Sequence, residues 1–137
     1  MGSNMTWDEL YAGIRQSVPQ HADWAERLVA VIQATAANEN FGAAHLTGRT
    51  TPGTQQVVLD MAVIAGDKLY GFTLYPSSLI STSMLLLKHI TTISTEERFG
   101  EITVSFGTVG GSTLSFTDDG QKTAQVLGFV QQVARLI

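Results

Sequence analysis

The apolar positions of this chain fall first at helical spacing, then in alternation, then at helical spacing again. Trp7, Leu10, Tyr11, Ile14 and Val18 share one face of a helical wheel. Thr6-Trp7-Asp8-Glu9 supplies the start of that helix, with a hydroxyl to cap free amides and a glutamate three residues on to reach back. Pro19 has no amide to donate, so the helix is predicted to stop near Ser17. Beyond it Trp24, Leu28, Val31, Ile32 and Thr35 form a second stripe, with Asp23, Glu26 and Arg27 on its wetter side. The Asn38-Glu39-Asn40 cluster closes this second helix.

Gly42 to Gly53 has a turn-forming composition and reads as the most flexible segment, within which Ala44-His45-Leu46-Thr47 offers a short edge strand. From Gln56 the period becomes two: Val57, Leu59, Met61 and Val63 alternate with Val58, Asp60, Ala62 and Ile64. Gly66-Asp67 turns the chain, Tyr70, Phe72 and Leu74 return on one face, and Pro76 ends the hairpin. Between Ser77 and Ile93 the β-branched content favours two short strands broken at Ser81-Thr82-Ser83. Glu101 to Phe106 and Ser112 to Phe116 make a second hairpin, with Ile102, Val104 and Phe106 on one face. Asp118-Asp119-Gly120-Gln121 resembles another helix cap, so an amphipathic helix is predicted from about Asp119 to Ile137. Leu127, Val130, Ala134 and Ile137, joined by Val126 and Val133, are its expected buried stripe.

Helices, antiparallel strands and one closing helix define an α+β fold. A chain of 137 residues suits one domain, read here as 5–137 with a helical segment over 6–40 and the sheet and closing helix over 54–137. Residues 1–4 read as a cloning remnant before a native Met5, and no secretory pattern follows. Hydrophobic residues at 44% exclude a disordered chain, and no apolar run reaches membrane-spanning length. The absence of cysteine removes disulfides and thiolate chemistry, leaving the cytoplasm as the default compartment. A net charge of −4 opposes polyanions, so a nucleic-acid partner is not expected.

Candidate chemistry is sparse. His21, His45 and His89 lie on three different predicted elements without metal-ligand spacing, so neither a metal nor another cofactor is expected. No serine sits in a glycine-flanked nucleophile elbow, and no catalytic residue is assigned. Gly107 to Gly111 joins two strands and lacks a following lysine, which makes it a hairpin loop and not a phosphate cradle. Asp118 and Asp119 are adjacent carboxylates that the helix cap explains. Trp7 and Trp24 lie on the apolar stripes as core anchors, or as partner contacts if those stripes are exposed.

Leu86 to Ile93, Gly100 to Phe106, Leu114-Ser115-Phe116 and the capped closing helix together resemble the pleckstrin-homology-like superfold, in particular its small bacterial members. The resemblance covers about residues 55–137 and implies a strongly bent antiparallel sheet, a partly open barrel plugged by the C-terminal helix. It also implies a headgroup site at the first hairpin, but that turn offers Lys68 beside Asp67, with Lys88 and Arg98 the only other cations nearby in sequence. Strong binding to anionic lipid is therefore not expected. The expected function is a non-catalytic protein-interaction or oligomerisation module, with Trp7, Trp24, Lys68, Lys88 and His89 as the partner or ligand surface. The alternatives are a small-ligand or headgroup binder at the sheet cavity or the 66–68 turn, and an enzyme that assembles His45, Asp60 and His89.

Overall fold

A computed structural model describes residues 6–19, 21–50, 57–75, 79–120 and 122–137. Among them are helices α1 (Trp7–Ser17) and α2 (Ala22–Thr35), a four-stranded meander, a three-stranded meander and α3 (Thr123–Leu136). The first sheet runs in the order β1 (Phe41–Thr50), β2 (Val57–Ala65), β3 (Lys68–Leu74), β4 (Ile80–Leu86). The second runs β5 (Ile90–Arg98), β6 (Glu101–Thr108), β7 (Thr113–Asp118), and every pairing is antiparallel. The protein is thus α+β, and its two sheets face each other without closing into a barrel. No helix among the described residues is long and apolar enough to cross a membrane.

Two apolar clusters, one on each face of the first sheet, hold the layers together. On the outer face Leu59, Met61, Val63, Tyr70, Phe72 and Leu74 are covered by Leu10, Ile14, Leu28 and Ile32 of the two helices. The capping hydroxyl of Thr6 accepts from the Glu9 amide, as the sequence motif predicts. On the inner face Ala62, Ile64, Leu69 and Leu85 meet Val104, Phe106, Leu114 and Phe116 of the second sheet. The sheets approach closely at Gly71, where a Cβ would stand 3.1 Å from Leu114 Cγ. Val126, Phe129 and Val133 of α3 enter this second cluster from the side on which β1 lies.

Several boundaries depart from the sequence pattern for local reasons. The segment read as a flexible turn with a short edge strand at Ala44 to Thr47 is a ten-residue edge strand, β1, so the edge strand is present and longer than expected. Its glycines permit close approach: a Cβ on Gly42 would meet Ile64 at 3.0 Å, at the irregularity between Phe41 and Ala43. Ser81, Thr82 and Ser83 do not break a strand but lie inside β4, whose exposed edge position tolerates polar residues on both faces. The break falls at Leu87–His89, one 3-10 turn fixed by the Leu87 amide donating to the Asp67 carbonyl (2.9 Å). The closing helix starts at Thr123, four residues after the predicted Asp119, and Lys122 at its N-cap makes no side-chain cap. Its buried stripe is Val126, Phe129 and Val133, at i, i+3 and i+7, whereas Leu127 and Ile137 stay about half exposed. Thr51–Gly53, Gln56, Pro76, Gln121 and residues 1–5 lie outside the described residues.

The β5–β6 turn carries Phe99 in the left-handed region (φ 52°) followed by Gly100 (φ 83°). Phe99 is 97% exposed, so its ring gains nothing from burial to offset that conformation. Asparagine visits this region more readily, and Phe99→Asn is expected to stabilise the fold by about 1 kcal/mol. Thermal unfolding should then shift upward by roughly 3 °C. An unchanged or lower midpoint would show that the turn is unstrained.

Candidate functional site

Directly opposed residues of an antiparallel ladder share a face, so the register places His45 and Thr47 of β1, Asp60 of β2 and Thr73 of β3 toward the second sheet. Polar groups in that position need partners, and β7 supplies them. Asp118, at the end of β7, is fully buried, and its Oδ1 lies 3.0 Å from His45 Nε2. An ionised carboxylate only accepts, so Nε2 carries the proton that is shared. Asp118 Oδ2 accepts from the amides of Gly120 (2.9 Å) and Lys122 (3.4 Å), and the Thr47 hydroxyl also donates to this carboxylate. Burial is the largest influence on Asp118 and pushes its pKa up, but those hydrogen bonds together hold it below the usual aspartate value.

A second carboxylate fastens the same strand. Asp60 Oδ2 accepts from the Thr117 amide (2.9 Å) and its Oδ1 from the Thr73 hydroxyl (3.0 Å). Since β7 is an edge of its own sheet, Asp60 satisfies from the first sheet a strand-edge amide of the second. The adjacent-carboxylate motif is therefore corrected: α3 starts beyond the predicted box, and Asp118 clamps β7 to β1. The loop that follows needs a glycine, because Gly120 has φ 89° and a Cβ there would overlap the Gly100 carbonyl oxygen.

Outside the clamp a cleft of about 770 Å3 runs between α1, the free edge of β1 and α3. Gln16 and Ser17 line it from α1, Ala44 to Leu46 form its floor, and Gln125, Phe129 and Gln132 line it from α3. A smaller cavity of about 290 Å3 continues it past Gly42 and Ala43 to Leu136. Lys122 Nζ donates to the Leu46 carbonyl (3.3 Å), which shows that this carbonyl points away from β2. Backbone direction alternates along a strand, so the groups of Ala44, Leu46 and Gly48 all face the open edge. Gly13 and Gly128, each in the middle of a helix, also border the cleft. A Cβ on Gly13 would press Leu46 at 3.2 Å, whereas one on Gly128 would meet nothing within 4 Å.

The residues expected to form a partner surface are divided by the structure. Trp7 is half-buried, donates through Nε1 to the Glu39 carbonyl (3.2 Å) and packs edge-on to Phe41. Trp24, also half-buried, stacks on His21 at 3.8 Å on α2. Lys68 Nζ donates to Glu39 (2.7 Å) and Asp67 (3.0 Å), and these two bonds raise its pKa. Glu39 thereby joins Trp7 to Lys68. Lys88 and His89 are exposed in the 3-10 turn and line a separate cavity with Thr108 and Val109. His45 and Asp60 share the inner face, but His89 stands outside it. Among the described residues no group of three or more His, Asp or Glu side chains is arranged to hold a metal.

The cleft residues of α3 escaped the sequence reading, although a signal was present: Gln125, Gly128, Gln132 and Arg135 recur at i, i+3, i+7 and i+10 beside the apolar stripe of α3. Compared with family models, curated proteins and solved structures, the chain matches none.

Proposed function

We propose that this protein is a non-catalytic protein-interaction module that receives its partner in the cleft between α1, β1 and α3. The carrying observation is the edge of β1, whose outward backbone groups lie at the floor of an open channel. Proteins commonly cover or charge such edges because an unpaired strand recruits another chain. Here two helices flank the edge and leave it reachable, each with a mid-helix glycine that costs about 1 kcal/mol relative to alanine. A Cβ on Gly128 would reach into open space, which is what an opening kept clear for a ligand requires.

A four-stranded sheet, a three-stranded sheet and a closing helix, in that order, support the pleckstrin-homology-like reading of the fold. On this reading α1 and α2 are additions covering the outer face of the first sheet. The headgroup alternative has less support, because Lys68 at the first hairpin is neutralised by Glu39 and Asp67.

Panning of short random peptides displayed on phage, run in parallel on the wild-type chain and on Gly128→Trp, tests the proposal. The indole would fill the channel without pressing on the fold, so enriched peptides should lose at least about tenfold in affinity, some 1.4 kcal/mol. Gly128→Ala should retain binding and gain about 0.5–1 kcal/mol of stability in urea unfolding. Peptides that bind Gly128→Trp as well as wild type would remove the cleft from the function.

A further inference from the structure

The chemistry of the cleft specifies the segment it takes, an inference that rests on the interaction reading above. Its floor is a strand edge, which an extended peptide satisfies with its own backbone while a helix cannot. From Gly42 to Leu46 the edge is about 16 Å long at the usual strand rise, enough for about five residues. Its charge is one-sided. Lys122 and Arg135 line it, no Asp or Glu does, and neither cation joins an ion pair among the described residues, although the chain as a whole carries −4.

We infer that the partner contributes an extended acidic segment that adds to β1 as a fifth strand, with one carboxylate at Lys122 and another at Arg135. The two cations stand thirteen positions apart along α3, roughly 20 Å of helix. An extended chain covers that distance in about six residues, which sets the spacing of the two acids. Lys122 holds the Leu46 carbonyl until the segment arrives and then turns to the incoming carboxylate, leaving that carbonyl to a peptide amide. Residues between the acids alternate, one set toward Leu46 and Gly13, the other toward Phe129 and Gly128.

The peptides enriched by panning decide the matter, synthesised and measured by fluorescence anisotropy and by amide hydrogen exchange. They should carry two Asp or Glu about six residues apart, and Lys122→Glu or Arg135→Glu should weaken each by about tenfold or more, as expected for a lost charge-assisted bond. Raising the salt should weaken binding as well. Binding should slow exchange of the Ala44 and Leu46 amides, which strand addition alone pairs. Neutral or basic sequences that Gly128→Trp still blocks would overturn the acidic segment and leave the cleft reading intact. Acidic peptides that leave the Ala44 and Leu46 amides unprotected would overturn strand addition. A library that yields nothing enriched over Gly128→Trp would remove the interaction reading itself, and this inference with it.

Discussion

Asp118→Ala is expected to lose about 4 kcal/mol of stability, because one buried acceptor is taken from several donors at once, each costing roughly 1–3 kcal/mol when left unsatisfied. That is a large fraction of the 5–15 kcal/mol typical of a whole domain, and should lower the thermal midpoint by roughly 10–15 °C. The loss has several sources. His45, 4% exposed, loses the partner of its Nε2, and the Thr47 hydroxyl and the amides of Gly120 and Lys122 lose their acceptor together. Asp118→Asn preserves the shape and one acceptor, so about half the loss is expected, near 2 kcal/mol.

The pH dependence has a definite sign. The folded-state pKa of Asp118 lies below its ordinary value despite burial, so the ionised carboxylate stabilises the fold. That contribution is complete above the unfolded value near 4 and disappears as the pH falls through the folded value beneath it. Urea unfolding of wild type and Asp118→Asn should therefore differ by a constant amount between about pH 5 and 7, and converge below about pH 4. A gap that stays constant to pH 2, or widens there, would mean that Asp118 is not held as the anion.

The two hairpins were legible for two reasons: Ile102 to Phe106 alternates because one of its faces is buried, and Val58 to Ile64, buried on both faces, is an almost continuous apolar run bounded by the Gly66-Asp67 turn. β1 was legible only in part, at Ala44 to Thr47. Its glycines and threonines carry turn propensity, and its strand state comes from β2, against which Gly48 opposes Leu59 and Thr47 opposes Asp60. The clamp was hidden for another reason. His45 and Asp118 are 73 residues apart and Asp60 and Thr117 are 57 apart, so nothing local marks either pair. A carboxylate pair before a helix is correctly read as acceptors for amides near its start, and Asp118 does accept two of them. Only the fold could show that its other oxygen looks into the core. The α3 stripe was legible at Val126, Val130 and Val133, which pack into the core, but without Phe129 the expected face reached on to Leu127 and Ala134, and the polar row that lines the cleft went unread.

Asp60→Ala should cost about 3 kcal/mol, slightly less than Asp118→Ala because the amide it strands, on Thr117, is only partly buried. Both carboxylates grip the same short strand from the opposing sheet, one at Thr117 and the other at Asp118, so they do not act independently. Once either is cut, β7 is freer to leave, and the remaining bond is worth less. Asp60→Ala combined with Asp118→Ala is therefore expected to lose less than the sum of the two, by about 1 kcal/mol or more. Strictly additive losses would mean that β7 is held mainly by Leu114 and Phe116 in the core, with the carboxylates as separate local contacts. Amide exchange at Thr117 separates the cases further: in Asp60→Ala it should quicken selectively if the carboxylate is its protector, and only in step with global unfolding if apolar packing is. The clamp also reaches the cleft, since Asp118 binds the amide of Lys122, the residue that leads into α3. Peptide affinity should accordingly fall in Asp118→Ala at temperatures where the fold is still intact, and much less in Asp60→Ala, which leaves the α3 entrance in place.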